Sequence, residues 1–176
     1  MTPKDLYTIC RFSAWRLEVQ QHYEVPGDED RQRAFHAGEP LPPPREELLD
    51  DLRLITDLTR RGRRIGRVHV VDRPLSPYVR YELAVYAENA AAGEEVRIAD
   101  RSSHPELAEV NEDFAIFDAE TSEAAVILFD YDSGGLVHGY RVADDVETVE
   151  RCRGLLGLVH GCSVTLAEFV AAAAAR

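Results

Sequence analysis

The stretch RIGRVHVVDRPLSPYVRYELAVYAENAAAGEEVRIAD, residues 64–100, decides the fold class of this chain. It opens with a valine-rich segment typical of a buried strand and closes with a second apolar segment, EVRIA. Between them, SPYVRYELAVYAENAAAG predicts a helix, because a proline stands at its first turn and Gly93 at its end. A strand, a helix and a strand in this order predict a parallel pair with a right-handed crossover.

Upstream of this unit, the segment WRLEVQ, residues 15–20, alternates apolar and polar side chains. A period of two predicts a strand that is buried on one face only. A short helix ending at Gly38, the extended linker EPLPPP and an amphipathic helix over residues 45–61 follow it. We expect Trp15, the only tryptophan, to lie in the core.

Downstream, EDFAIFD and AAVILFDYD predict a hairpin around the turn DAETSE, and LVHGYRV predicts a further strand. Helices are expected over residues 144–160 and 164–175. The whole order predicts an α/β fold, with a mixed sheet sandwiched by helices. We expect a single domain over residues 1–176, in which an N-terminal extension of helix and strand, residues 1–62, packs on an α/β core, residues 63–176.

Charge and composition exclude several classes of protein. The 176 residues carry a formal net charge of −12, so direct nucleic-acid binding is not expected, and the basic run at residues 60–64 is interpreted as the solvated end of a helix. The first ten residues lack an apolar signal core, and no apolar run is long enough to span a membrane. An odd number of distant cysteines fits a reducing compartment, so we predict a cytoplasmic protein without membrane contact.

Several long motifs carry a family resemblance: SAWRLEVQQHYEV, AGEP, the 64–100 stretch above, DFAIFD and FDYDSGG. On these, the chain resembles domain-of-unknown-function family 6879, a family of small actinobacterial proteins. The resemblance implies a small cytoplasmic protein, often encoded near helix-turn-helix regulators. It implies no established activity.

A second resemblance covers residues 64–155, whose order of elements is similar to one half of a phospholipase D-type fold. That family's signature is His-x-Lys-x4-Asp on a strand. Aligning Asp118 of NEDFAIFD with the signature Asp places Asn111 at the His and Asp113 at the Lys. Asn cannot serve as the nucleophile, and a carboxylate at residue 113 would repel the phosphate. The resemblance therefore implies a half-domain arrangement that has kept the fold without this chemistry.

Other polar residues are candidates for a site. Arg67 and His69 should face the same side of their strand, and the 77–92 helix carries Tyr78, Glu82 and Tyr86 on one stripe. His69 would need a carboxylate partner to act as a base. The candidate catalytic residues are His69, Glu82, Asp113 and Asp118, and the candidate ligand-binding residues are Arg67, His69, Arg80, Tyr81, Glu82 and Tyr131. The structural alternative is that the tyrosines pack, Glu82 pairs with an arginine and His69 is merely half-buried.

Metal ligands are less evident. The acids Asp113, Asp118, Asp130 and Asp132 lie near strand ends and are of the type that binds magnesium or calcium, but DYDSGG also suits a tight turn. Cys152 and Cys162 flank a predicted helix and would need partners that the sequence does not show. We therefore predict no metal site and no cofactor.

Three functions remain open. The first is a non-catalytic binding or regulatory module, which interacts with a helix-turn-helix type regulator or senses a small ligand, and which forms a homodimer or binds a basic partner protein. The alternative is an enzyme with an unrecognised polar site at the carboxyl ends of the strands. A toxin-like effector that acts on RNA or a phosphorylated substrate ranks last, because the acidic net charge argues against direct contact with RNA.

Overall fold

The structure, a computed structural model, describes residues 2–174 and contains one mixed sheet with helices on both of its faces. The strands are β1 (Ser13–Glu18), β2 (Arg64–Val71), β3 (Glu95–Asp100), β4 (Phe114–Phe117), β5 (Ala125–Tyr131), β6 (Val137–Ala143) and β7 (Val164–Thr165). The helices are α1 (Pro3–Ile9), α2 (Glu29–Ala37), α3 (Glu46–Arg60), α4 (Pro77–Ala91), α5 (Val146–Gly161) and α6 (Leu166–Ala174). The predicted mixed α/β class is confirmed, while the similarity to a phospholipase D half domain stays a prediction.

The seven strands lie in the order β6-β5-β4-β1-β2-β3-β7. The strands β1, β2 and β3 are parallel neighbours, as the strand-helix-strand pattern predicts, and β4, β5, β6 and β7 add to them in antiparallel pairs. The expected hairpin of β4 and β5 is present. Within residues 2–174, no helix combines the length and the apolar character that a membrane crossing needs.

The strand β1 lies in the middle of the sheet, between β4 and β2. The predicted division into an extension over residues 1–62 and a core over residues 63–176 therefore runs through the sheet, because its central strand comes from the first segment. This strand is also more buried than its alternating sequence indicates. Glu18 is 3% exposed, so the polar face of β1 is covered rather than solvated.

The two faces of the sheet have different coverings. Helix α5 packs on the face that carries Trp15, Leu17, Val68 and Val70, and these side chains form the largest apolar cluster. Trp15 is buried there, as expected. Helices α1, α3, α4 and α6 cover the opposite face, where the apolar clusters are interrupted by the polar side chains of β1 and β2. That face therefore combines charged side chains with apolar contacts, as a binding site requires.

Candidate functional site

The candidate site is built on the register of the two central parallel strands. Arg16 of β1 pairs with Arg67 of β2, and Glu18 pairs with His69 two residues further on. Alternate residues of a strand point to the same face, so all four side chains lie on the face covered by α3 and α4. We call Arg16, Glu18, Arg67 and Glu94 the charged network.

Glu18 is the centre of the charged network. Its carboxylate lies 3.0 Å from Nε of Arg16 and 3.4 Å from Nη1 of Arg67, and it accepts a 2.6 Å hydrogen bond from the hydroxyl of Tyr86 on α4. Burial alone would raise the pKa of Glu18, but the charges of Arg16 and Arg67 lower it to about 2. The carboxylate is therefore ionised across the physiological pH range.

The second carboxylate of the charged network, Glu94, holds Arg67 from the other side. Nε of Arg67 donates to Glu94 over 2.8 Å, and the amide of Asn89 on α4 donates to the second oxygen of Glu94 over 2.7 Å. The guanidinium of Arg67 also lies over the ring of Tyr86, 5.0 Å from its centroid. Although Arg67 is buried, its pKa is raised well above its ordinary value by Glu94 and Glu18, so it keeps its charge.

His69 is buried beside the charged network, and both of its ring nitrogens have protein partners. Nε2 lies 2.8 Å from the carbonyl of Gln20, to which it must donate, and Nδ1 lies 2.9 Å from the hydroxyl of Tyr86. Burial lowers the pKa of His69. His69 faces the same side of the sheet as Arg67, as predicted. The hydroxyl of Tyr86 links it to the carboxylate of Glu18, whereas the sequence favoured Glu82 or Asp118 as its partner.

Glu82 lies one turn before Tyr86 on α4, and its pKa is raised. Burial and the charge of Glu18 raise its pKa to about 7, and the hydroxyl of Tyr78 donates a hydrogen bond to it. Within residues 2–174 Glu82 forms no ion pair, so the expected pairing with an arginine is not found. The tyrosines of the stripe do pack, since Tyr78 contacts the rings of Tyr23 and Tyr81 edge to face.

A cavity of about 410 Å³ adjoins the charged network beneath α1 and α3. Its polar wall contains Arg16, Arg67, Asn89 and Glu94. Its apolar wall is formed by Tyr7, Leu48, Leu54, Ile55, Ile65 and Phe129, and the exposed residues Lys4 and Asp51 stand at its rim. We call this space the arginine pocket. Its volume falls within the range of about 300–1,000 Å³ that is typical of small-molecule sites.

Within the charged network, the arginines are more exposed than the carboxylates. The side chains of Arg16 and Arg67 are 27% and 15% exposed, whereas those of Glu18 and Glu94 are each 4% exposed. Nε and Nη1 of Arg67 donate to Glu94 and Glu18, Nη2 of Arg16 donates to Tyr131, and Nε of Arg16 lies 3.0 Å from Glu18. The two carboxylates of the charged network are therefore buried within the protein, while both arginines line the cavity, which also has the exposed Asp51 at its rim.

Asp113 and Tyr131 lie together at the carboxyl edge of the parallel strands. Asp113 accepts hydrogen bonds from the hydroxyl of Tyr23 and, over 3.3 Å, from the amide of Val19. Burial raises the pKa of Asp113 to about 6. The hydroxyl of Tyr131 accepts from Arg16 over 3.3 Å. These residues border a second hollow, and Phe129 lines both this hollow and the arginine pocket.

Asp118 lies at the opposite, amino edge of the sheet, and the structure does not bring it together with the other candidates. Its carboxylate accepts hydrogen bonds from the backbone amides of Arg11, Phe12 and Ser13 over 2.6–3.1 Å. Asp118 has a φ of 50°, so it terminates β4 in a left-handed turn while it fixes the chain that enters β1. This geometry gives Asp118 a structural role.

Two further candidate residues lie on other sides of α4. Arg80 donates to the carbonyl of Leu75 at the surface, and Tyr81 is buried with its hydroxyl donating to Asp28 over 2.5 Å. Of the predicted ligand-binding residues, Arg67 alone lines the arginine pocket. The four acids considered for a cation do not form one cluster: Asp113 and Asp130 border the same hollow, Asp118 stands at the opposite end of β4, and Asp132 accepts the amides of Gly134 and Leu136 in a turn.

The sequence interpretation missed Arg16, Glu18, Glu94 and Asn89 as site residues. A signal for the first two exists. Arg16 and Glu18 alternate on β1 as Arg67 and His69 alternate on β2, and pairing the two strands side by side joins these polar faces. For Glu94 and Asn89, the sequence offers only their position: Asn89 lies near the end of α4, and Glu94 directly precedes β3.

The comparison with family models matches residues 2–171 to one model, described as Domain of unknown function (DUF6879). No match to a curated protein was found. The matched range includes every residue of the charged network and the lining of the arginine pocket. The chain belongs to the DUF6879 family, as the motifs around the central strands indicate.

Proposed function

We propose that this protein is a non-catalytic binding module that senses a small organic ligand in the arginine pocket. One observation carries the proposal: two partly buried arginines on adjacent central strands line a cavity of about 410 Å³ that also has an apolar wall. Concave, largely apolar sites with a few fixed polar groups are the usual form of small-molecule sites.

The chemistry of the wall indicates the class of ligand. Guanidinium groups bind carboxylates and other oxygen acceptors in a planar, two-pronged arrangement. Arg16 and Arg67 are held in place by Glu18 and Glu94, so they are oriented before a ligand arrives. The expected ligand therefore has an acceptor head, a carboxylate in the first place, and an apolar body that contacts Leu54, Ile55 and other apolar side chains of the pocket.

Two of the groups that could act as a base, His69 and Glu18, are engaged within the protein, and this favours binding over catalysis. Nε2 of His69 is engaged by the carbonyl of Gln20 and its Nδ1 faces the hydroxyl of Tyr86, while Glu18 is engaged by two arginines and a tyrosine. A binding module requires only that these groups remain fixed. A helix-turn-helix type regulator as partner, and a homodimer, are further parts of this proposal. The net charge of −12 supports a basic partner surface.

Thermal denaturation with matched ligands tests the proposal. The probes are straight-chain carboxylates from acetate to decanoate and the primary alcohols of the same lengths. We expect carboxylates to raise Tm, with a rise that grows with chain length until the cavity is filled, and alcohols to raise it less. A ligand at a hundred times its Kd stabilises by about 2.7 kcal/mol.

Variants assign the effect to the pocket. Arg16→Gln should abolish the difference between carboxylates and alcohols, and Arg16→Lys should keep part of it. Arg53→Gln is the matched control, because Arg53 is an exposed arginine of α3 that does not line the cavity. Equal shifts in the wild type and Arg16→Gln, or no shift with any carboxylate, would contradict the proposal.

One observation favours the enzyme alternative. Glu82 has a pKa of about 7, which is the value expected of a general acid or base working near neutral pH. Incubation of the protein with a metabolite extract, followed by mass spectrometry, tests this hypothesis. Consumption of a compound by the wild type but not by Glu82→Gln would support an enzyme. An unchanged extract would leave the binding module as the better account.

A further inference from the structure

A second cluster of polar side chains lies away from the arginine pocket, at the far end of β3. It consists of His104, Glu106 and Cys162, which we call the three-donor cluster. Nδ1 of His104 and Sγ of Cys162 each lie 3.3 Å from the same oxygen of Glu106, and all three donor atoms are within 4.8 Å of one another. No residue lines both the arginine pocket and the cavity beside this cluster.

We propose that the three-donor cluster binds a zinc ion, with three protein ligands and one open coordination position. An imidazole nitrogen, a carboxylate oxygen and a thiolate are all ligands of zinc, at about 2.0–2.3 Å. In a tetrahedron of that size the ligand atoms stand roughly 3.3–3.8 Å apart. The Glu106 oxygen already lies at such a separation from Nδ1 of His104 and from Sγ of Cys162, and the three donor atoms lie within 4.8 Å of one another.

The fold places the three donors together from distant parts of the chain. His104 joins two short 3₁₀ turns, Arg101–Ser103 and Pro105–Leu107, which directly follow β3, and the buried Leu107 anchors them. Cys162 ends α5 just before β7, and β7 pairs with β3. Both segments are therefore fixed to the same strand, so the cluster requires little further ordering when a metal binds.

One arginine reinforces this arrangement. Arg97 of β3 donates to the side chain and to the carbonyl of Ser163, over 2.8 Å and 2.9 Å. Ser163 is the residue after Cys162, so these bonds hold the end of α5 against β3. The position of Cys162 is thereby set by the sheet and not by a free loop.

The nature of the donors selects the metal. Magnesium and calcium take oxygen ligands, whereas a sulfur and an imidazole favour zinc and the later transition metals. In the metal-free protein the Cys162 thiol donates its hydrogen bond to Glu106. Metal binding breaks the S–H bond, forms the sulfur–zinc bond and releases the proton to solvent.

The open position has space beside it. His104 and Cys162 line a cavity of about 560 Å³ that also contains Asp100, Ser103 and Glu168. Zinc with three protein ligands normally carries water or a small ligand in its fourth position. The cavity gives such a molecule room.

Zinc titration of the chelator-treated protein against a chromophoric competitor tests the proposal. We expect one equivalent of zinc per chain and at least tenfold weaker binding in His104→Ala, Glu106→Gln and Cys162→Ser. The donors are partly exposed, with His104 at 36% and Glu106 at 48%, so these variants should keep their metal-free Tm. His36→Ala and Cys152→Ala are the controls, because neither residue belongs to the cluster.

Cobalt substitution gives a second readout. A thiolate ligand produces a charge-transfer absorption in the near ultraviolet, which should appear in the wild type and be lost in Cys162→Ser. Zinc binding of equal strength in all the variants, no binding of zinc, or a cobalt complex without the thiolate absorption would each overturn the proposal.

Discussion

Arg16 and Arg67 are register partners on adjacent parallel strands, and both contact the carboxylate of Glu18. Two like charges side by side in the middle of a sheet are unfavourable unless a counter-charge lies between them. Glu18 supplies that charge, and Glu94 supplies a second on the outer side of Arg67. The four charges form a neutral group whose stability depends on every member.

Removal of the central carboxylate should therefore destabilise the fold strongly. In Glu18→Gln the two arginines lose their shared counter-charge in a buried setting, and we expect a loss of about 3–5 kcal/mol in the free energy of unfolding. Urea denaturation measures this loss. Glu47→Gln is the control, because Glu47 forms an exposed ion pair with Arg45 and its loss should leave stability nearly unchanged. Similar values for both variants would contradict a central role for Glu18.

Glu82 should make stability depend on pH. Its folded-state pKa is about 7, raised from 4.5, so the folded protein holds this proton more tightly than the unfolded chain. Its contribution is fully present below about pH 4.5 and is lost as pH rises through 7. At about 1.4 kcal/mol for each pKa unit, the upper limit is about 3 kcal/mol.

Comparison with Glu82→Gln isolates this contribution from that of other groups. Asp113, with a pKa of about 6, acts in the same direction, and His69, whose pKa is lowered, acts in the opposite one. Between pH 5 and 8 the wild type should lose more stability than Glu82→Gln, as measured by urea denaturation at each pH. The exposed Glu39→Gln should follow the wild type. Parallel curves for the wild type and Glu82→Gln would show that Glu82 has no raised pKa.

Asp118 should prove to be a structural residue. Asp118→Asn keeps a side chain that tolerates the left-handed backbone, but it replaces an ionised acceptor of three backbone amides with one neutral oxygen. We expect a loss of about 1–3 kcal/mol in stability and no change in ligand or zinc affinity. Denaturation and binding measurements on one preparation check both parts. Asp144→Asn, at an exposed position before α5, should change neither.

Gly66 should not tolerate even a methyl group. It lies opposite Trp15 in the parallel pair, and a Cβ at this position would be 2.4 Å from Cζ3 of the indole. Gly66→Ala should therefore cost about 1–3 kcal/mol through overpacking. Gly154→Ala is the matched control with the opposite sign, because that glycine lies within α5 with nothing near its Cβ position, and alanine favours a helix. Equal stability of Gly66→Ala and the wild type would contradict the close contact.

The order of helices and strands could be predicted because it depends on local patterns. The valine-rich β2, the proline at the first turn of α4 and the hairpin of β4 and β5 are each visible within a few residues of sequence, and the structure confirms them. The burial of β1 could not be predicted in the same way. Its alternating pattern is typical of a half-buried strand, but in the tertiary structure α4 covers the polar face.

The candidate sites, too, could be predicted only in part from local sequence patterns. Arg67 and His69 were identified from their shared face, but Arg16 and Glu18 became partners only when β1 was placed beside β2. Asp113 and Asp118 are five residues apart in sequence and at opposite ends of a strand in space, so a cluster of acids in the sequence did not become a cluster in the structure. His104 and Cys162, 58 positions apart by their numbers, came together through the pairing of β3 with β7.

The sequence by itself determined the class of the protein: an acidic, mixed α/β chain with a readable order of helices and strands and membership of one family. The spacing of hydrophobic residues and the turn residues are local properties, and net charge is a sum over residues. All three can therefore be determined from the sequence without knowledge of the fold. Only the tertiary structure decided which polar groups share a site. That choice depends on strand order, register and the helix that covers each face, because a charge is stabilised in the interior only by partners that lie within a few ångströms of it.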